Sequence, residues 1–112
     1  MFGLKKKDKP PKNTDSPEFR RWMAEKLDGR SLRYILERDA NGTDTVIAKG
    51  GVLSNFEGKF CVISGEKTLF CTPTEDLHAW EFLSLEGATL TGIDEITGKE
   101  RTILAYYKYY RD

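Results

Sequence analysis

The sequence predicts a mainly β domain in which a short N-terminal helix packs on a bent antiparallel sheet or small barrel of about six to seven strands. Apolar residues follow a helical spacing over residues 16–28 and alternate with polar residues from residue 31 onward. Turn pairs such as Asn-Gly and Glu-Gly separate the later segments, with no second helical pattern between them. Strands joined without crossover helices pair antiparallel, and short strands hide their edges best in a bent sheet or barrel.

The 112 residues suit a single domain, and their charge is unevenly placed. Residues 1–12 hold five lysines and one aspartate, and the rest of the chain has a net charge of −4. Mutual repulsion of the lysines and the Pro10-Pro11 pair predict a disordered basic leader over residues 1–14 and one domain over residues 15–112. We interpret the leader as a solubilising tail, with a hook for anionic lipid or nucleic acid as the alternative.

The cysteine and histidine inventory predicts no metal site. Two cysteines and one histidine form neither a disulfide framework nor a zinc signature, and no cofactor is implied.

No stretch approaches the roughly 20 apolar residues of a membrane span, and no long apolar run follows the N-terminal lysines. Free thiols without a secretory signal predict a cytoplasmic protein.

Residues 16–28 are expected to form the helix. Ser16 or Asp15 would cap it, Pro17 suits its first turn, and Gly29 would end it. Its apolar side chains fall on one stripe: Phe19, Trp22, Met23 and Leu27. A helix of about three turns is not stable alone, so this stripe is expected to pack on the sheet rather than bind a partner.

The strands before the last hairpin follow from alternation and turn residues. They are expected over residues 31–38, 45–56, 59–63, 67–71 and 77–83, and residues 88–93 form the first strand of the last hairpin. The Gly50-Gly51 pair interrupts the second of these strands and predicts a bulge or a sharp bend within it.

The two cysteines are predicted to be separate thiols. A two-residue loop at residues 65–66 would pair segments 59–63 and 67–71 in a register that places Cys61 and Cys71 on opposite faces. Only a slip of one residue would bring them together.

The last strand, residues 101–110, is rich in β-branched and aromatic residues and is expected to carry the core of the sheet. The face expected to point inward holds Ile103, Ala105, Tyr107 and Tyr109. The face expected to point outward holds Thr102, Leu104, Tyr106, Lys108 and Tyr110. A two-residue tip at Gly98-Lys99 would place Leu90 opposite Tyr107 and Ala88 opposite Tyr109.

The outward face of the last strand is the candidate binding site, formed by Tyr106, Lys108 and Tyr110. Two exposed rings on one strand predict that this face is covered by a protein partner or by a second copy of the chain. Bases also stack on such rings, and cations hold a nucleic-acid backbone, so single-stranded RNA is the alternative partner. The predicted function is therefore a non-enzymatic binding or regulatory module that acts through protein contact.

Catalytic residues are not predicted. His78 could pair with Cys61 or Cys71, but no spacing signature accompanies it, and His78 is expected to pack beside Trp80 and Phe82. The acidic residues of the inferred turns are interpreted as solvated: Glu57, Glu66, Glu75, Asp76, Glu86, Asp94 and Glu95.

Residues 51–57, GVLSNFE, resemble the G-x-L-x-x-F-D run of Sm-like proteins, with Glu57 in place of the usual aspartate. This resemblance implies a small SH3- or Sm-like barrel that binds RNA. Cys61 stands where that family has an RNA-binding asparagine, so no binding residue is carried over. Residues 50–70 are alternatively similar to the early hairpins of pleckstrin-like bacterial domains. Those domains close with a C-terminal helix, whereas this sequence ends in a strand.

Overall fold

The computed structural model describes residues 11–109 and confirms the predicted fold class. One short helix packs on an antiparallel sheet of eight strands, and the sheet is not closed into a barrel. Helix α1 spans Pro17–Leu27, and a 3₁₀ turn spans Thr74–Asp76. The strands, β1 to β8 in chain order, span Ser31–Arg38, Asp44–Ala48, Gly51–Phe56, Lys59–Ser64, Lys67–Pro73, His78–Glu81, Gly87–Ile93 and Glu100–Tyr107.

Strand β1 lies at the centre of the sheet, whose order is β5-β4-β3-β1-β8-β7-β6, with β2 also paired to β1. The start of β1 pairs with β3 and its second half with β2. The predicted bend at Gly50-Gly51 separates β2 from β3, with φ angles of 101° and 155°. A Cβ at Gly51 would collide with the carbonyl oxygen of Ile63, so this bend requires glycine.

Helix α1 covers one face of the sheet, which we call the inner face. The Ser16 hydroxyl accepts a hydrogen bond from the Phe19 amide, as predicted for the N-cap. Phe19, Met23 and Leu27 are buried in the core, and Trp22 packs against the core as a partly buried ring. The apolar stripe of the helix therefore faces the sheet, as expected. No helix in the described part of the chain is long and apolar enough to cross a membrane.

The last strand places most of its residues as predicted. Ile103, Ala105 and Tyr107 are fully buried on the inner face. Tyr109 was expected to join them, but β8 ends at Tyr107 and the Tyr109 side chain is 67% exposed. Leu104 points to the opposite, outer face, yet it is buried and lies outside the main core.

The β4–β5 hairpin corrects the prediction for the cysteines. Ser64 pairs with Lys67 as the two-residue loop requires, but the register shifts by one residue near Leu69. This β-bulge places Cys61 directly opposite Cys71, and the two are joined by a disulfide. The prediction of two separate thiols on opposite faces was wrong because it assumed an unbroken ladder.

The β7–β8 hairpin has a longer loop than predicted. Ile93 pairs with Glu100, so residues 94–99 form the loop and Leu90 lies opposite Ile103 rather than Tyr107. Asp94 organises this loop: its carboxylate accepts hydrogen bonds from the amides of Ile96 and Thr97. Ala88 likewise pairs with Ala105 instead of Tyr109.

Candidate binding surface

The outer face of the sheet carries an apolar row that crosses five strands, which we call the outer row. Its members are direct cross-strand neighbours in the order Val46, Leu36, Leu104, Thr89 and Trp80. Side chains directly opposite each other on one face lie close enough to touch, and here they enclose Leu104, which is only 3% exposed. Val46 and Trp80, at the two ends of the row, are each half exposed. The Trp80 ring turns around the sheet edge toward Phe19, with centroids 5.4 Å apart.

An aromatic group lies beside the outer row and includes the first predicted site residue. Tyr106 pairs with Tyr34 across the β1–β8 ladder, and the Phe82 ring packs edge-on against Tyr106 at 5.1 Å. Phe82 therefore shields part of Tyr106, whereas Tyr34 is 41% exposed. The guanidinium of Arg33 lies 5.3 Å from the centre of the Tyr34 ring.

The other two predicted site residues do not extend this strand face. Lys108 follows the end of β8; its amide donates to the Ser31 carbonyl, and its ammonium group lies 5.6 Å from the centre of the Tyr109 ring. Tyr110 lies outside the described residues, as do residues 1–10 of the predicted leader. Two of the three predicted site residues, Tyr106 and Lys108, therefore lie at one end of the sheet. Tyr106 precedes the last residue of β8, and Lys108 follows it.

Sequence reasoning missed Leu36 and Val46 as members of this surface. The register of β1 shifts between Leu32 and Tyr34, so Leu32 and Ile35 point inward while Tyr34 and Leu36 point outward. Strict alternation along residues 31–38 would instead place Leu32, Tyr34 and Leu36 on one face. Two exposed residues in succession, Arg33 and Tyr34, mark the bulge, and an arginine beside a tyrosine inside a strand pattern is the one available sequence clue.

A partly buried polar cluster closes the inner face at the same end as Lys108. The Tyr107 hydroxyl donates to Glu81 at 2.8 Å, and Lys26 contacts the same carboxylate at 2.8 Å. The guanidinium of Arg30 lies 4.1 Å above the Tyr107 ring. Burial alone would raise the pKa of Glu81, but the hydrogen bonds from Lys26 and Tyr107 outweigh it and hold the pKa below its ordinary value. Burial and the bond to Glu81 raise the pKa of Tyr107.

A second polar cluster closes the inner face at the opposite end. Arg101 makes two parallel hydrogen bonds to Glu37, at 2.7 and 2.8 Å, and a third to Asp94 at 2.9 Å. Asp94 is fully buried and also accepts from the amide of Cys71, which ties the β7–β8 loop to strand β5. Asp94 is therefore not the solvated turn residue that was expected. Burial would raise its pKa, but the bonds from Cys71 and Arg101 prevail and lower it.

These polar groups are paired with one another. Each cluster joins elements distant in sequence, as expected of residues that hold the fold together. His78, expected to be packed, is exposed on edge strand β6, and the sulfur atoms of Cys61 and Cys71 are bonded to each other. Within residues 11–109, no three His, Cys, Asp or Glu side chains are placed to hold a metal ion.

One concave site lies between α1 and the β3–β4 turn. Its volume is about 280 Å³. The ion pair between Arg21 and Glu75, at 2.9 Å, joins two of its lining residues. The Thr74 hydroxyl donates to the Asn55 side chain at 2.7 Å on its wall. The polar groups that define this groove therefore already bind one another.

The chain matches no protein-family model, no curated protein and no solved structure.

Proposed function

We propose that this chain is a non-enzymatic binding or regulatory module that acts through protein contact at the outer row. One observation carries the proposal: helix α1 covers only the inner face, while an uncharged row of side chains crosses five strands of the outer face. The two ends of this row, Val46 and Trp80, are each half exposed, and exposed apolar surface bordered by polar residues is typical of interaction sites.

The borders of the outer row favour a protein as the partner. On one side, Arg38 and Asp44 pair with each other at 2.8 Å, and the hydroxyls of Thr91 and Thr102 lie 3.2 Å apart. On the other side lie the aromatic rings of Tyr34 and Tyr106. An apolar centre with tyrosines and a polar rim is the composition of protein interfaces. A second copy of the chain would meet the same requirements, because a two-fold interface uses one patch twice.

Capture from a lysate of the source cells tests this proposal. Val46→Lys places a charge at the half-exposed end of the outer row and should abolish capture of the partner. Ile96→Lys is the matched control, because Ile96 is also about half exposed but lies in the β7–β8 loop. A partner that is lost with Val46→Lys and kept with Ile96→Lys supports the proposal. Equal capture by both variants contradicts it, and sedimentation of the purified chain distinguishes self-association.

Single-stranded RNA is the second candidate, in line with the resemblance of residues 51–57 to Sm-like proteins. The supporting observation is the placement of Arg33 over the ring of Tyr34, beside Tyr106 and near Lys108. Rings and cations at this spacing suit base stacking and phosphate contacts. A gel shift with short RNA at low salt, which weakens steeply as salt rises, would support RNA binding, and the absence of any shift would exclude it.

The cytoplasm remains the proposed location, and the cysteines provide its test. In a reducing compartment Cys61 and Cys71 would be two thiols, although the fold keeps them opposite each other. The Asp94 and Arg101 contacts to β5 would then hold that strand without the disulfide. Alkylation of freshly lysed cells before unfolding should label both cysteines; complete protection from label would contradict a cytoplasmic location.

A further inference from the structure

The loop between β6 and β7 presents two leucines to solvent, and we infer that this leucine loop, residues 82–86, docks on an anionic lipid surface. Leu83 is fully exposed, and Leu85 is 57% exposed. This inference concerns a different surface from the outer row and goes beyond the proposed protein contact.

The leucine loop is held in one conformation rather than collapsed onto the sheet. The amide of Leu85 donates to the carbonyl of Phe82 at 2.9 Å, and the Ser84 hydroxyl accepts from the Glu86 amide at 3.3 Å. Leu85 has a φ of 64°, a left-handed conformation that a bulky side chain rarely adopts. A backbone with this conformation keeps both leucines pointing away from the core, although burying them would be favourable.

Cations lie around the leucine loop. The Glu86 carbonyl accepts from the Tyr107 amide at 2.8 Å, which places the loop against the end of β8. Lys108 follows directly, and its amide donates to Ser31, beside the exposed side chain of Arg33. The ammonium of Lys108 and the guanidinium of Arg33 therefore flank the same end of the sheet as the two leucines.

The two ends of the strands differ in charge: the leucine end is net positive and the opposite end is net negative. This is the orientation that binding to an anionic surface requires. Segments 30–34, 81–87 and 106–109, at the leucine end, hold three cations and two carboxylates. Segments 37–44 and 93–101, at the opposite end of the same strands, hold three cations and six carboxylates. The field of the domain would therefore turn the leucine end toward negative charge and the opposite end away from it.

The shape of the leucine loop favours a lipid over a protein as its occupant. A fully exposed side chain at a protruding tip needs a matching pocket in a protein, but it enters the acyl region of a bilayer without one. Apolar insertion and cationic attraction each bind weakly alone, and the two together give measurable attachment. The experiment must distinguish binding of this loop to lipid from binding of this loop to a protein.

Vesicle flotation with the full chain tests the inference, using phosphatidylcholine vesicles with and without phosphatidylserine. The wild type should bind the serine-containing vesicles, and more weakly at high salt. The double change Leu83→Ser with Leu85→Asn should weaken binding roughly tenfold or more, because it removes both insertable side chains. Asparagine tolerates the left-handed backbone at position 85, so the fold should persist, as circular dichroism would check.

Matched variants make the test specific. Ile93→Ser with Ile96→Ser removes two half-exposed apolar side chains at the opposite end of the strands and should leave flotation unchanged. Arg33→Ser with Lys108→Ser should remove the preference for phosphatidylserine. The inference fails if the wild type does not float with serine-containing vesicles at low salt. It also fails if the leucine variant floats like the wild type, or if only replacing Lys5, Lys6 and Lys7 abolishes flotation. Loss of protein capture by the Val46 variant, with flotation intact, would leave the two surfaces independent.

Discussion

The inner and outer faces of β1, β8 and β7 are built from similar side chains but are completed in different ways. On the inner face, Tyr107 is covered by the helix side of the core, and its hydroxyl is bound to Glu81. On the outer face, the Phe82 ring covers part of Tyr106. The inner face is therefore buried, whereas on the outer face Tyr34 and Val46 are 41% and 50% exposed. Aromatic content by itself does not distinguish a buried face from an exposed one, because both faces of β8 carry tyrosine.

Adjacent tyrosines provide the strongest test of this difference between the faces. Tyr107→Ser should lower the free energy of unfolding by about 4 kcal/mol, because it empties a large core volume and leaves Glu81 without one donor. Tyr106→Ser should lower it by only about 1 kcal/mol, since that ring is partly exposed. Urea unfolding followed by fluorescence measures both. If the two variants lose similar stability, the assignment of faces is wrong.

Charged groups allow the same comparison between the inner and outer faces. Asp94→Asn on the inner side should lower the free energy of unfolding by about 3 kcal/mol, because Arg101 loses a buried carboxylate and an NH2 donor replaces one of the two oxygens that accept from Arg101 and the β7–β8 loop. Asp44→Asn breaks the exposed pair with Arg38 on the outer side and should leave stability unchanged within error. Thermal unfolding measures the stability of both variants. An equal loss of stability in the two variants would contradict the expected difference.

Acid should weaken the polar clusters of the inner face. The pKa values of Glu37, Glu81 and Asp94 lie below their ordinary values in the folded chain, so the unfolded chain takes up protons first as the pH falls. The stability from these groups is present above pH about 4.3, near the ordinary values, and is lost as the pH drops through the folded pKa values. Unfolding between pH 7 and pH 3 should show this decline, with a smaller slope in Asp94→Asn. A stability that is flat across this range would contradict the paired state of the three carboxylates.

Two hairpins show which parts of the fold the sequence could predict. In β7–β8 the predicted register was wrong by an even number of residues, so Tyr107 still pointed inward and Tyr106 outward despite their wrong partners. In β4–β5 the loop was right, but a single bulged residue inverted every face beyond it and brought Cys61 to Cys71. Because side chains alternate with period two, only odd errors change faces. Composition and turn residues predict strands well, whereas a bulge depends on long-range packing.

The candidate binding surface was predictable to a similar extent. Tyr106 follows from alternation within β8, whereas Leu36 and Val46 join it only because bulges in β1 and β2 turn them outward. Asp94 was taken for a solvated residue because its burial depends on contacts with Arg101 and with strand β5. The sequence pattern did not predict either contact. The sequence predicts the face of a residue when that face depends only on alternation within one strand. It does not predict the position of a residue that depends on contacts between strands.

Site-specific photo-crosslinking in the source cells tests most directly whether the outer row is the contact surface. Benzoylphenylalanine at Val46 lies in the row, and the same group at Ile96 has similar exposure in the β7–β8 loop at the other end of the strands. This account predicts a discrete crosslinked product, with a partner protein or a second copy, from position 46 and none from position 96. Equal products from both positions, or a product from position 96 alone, would contradict it.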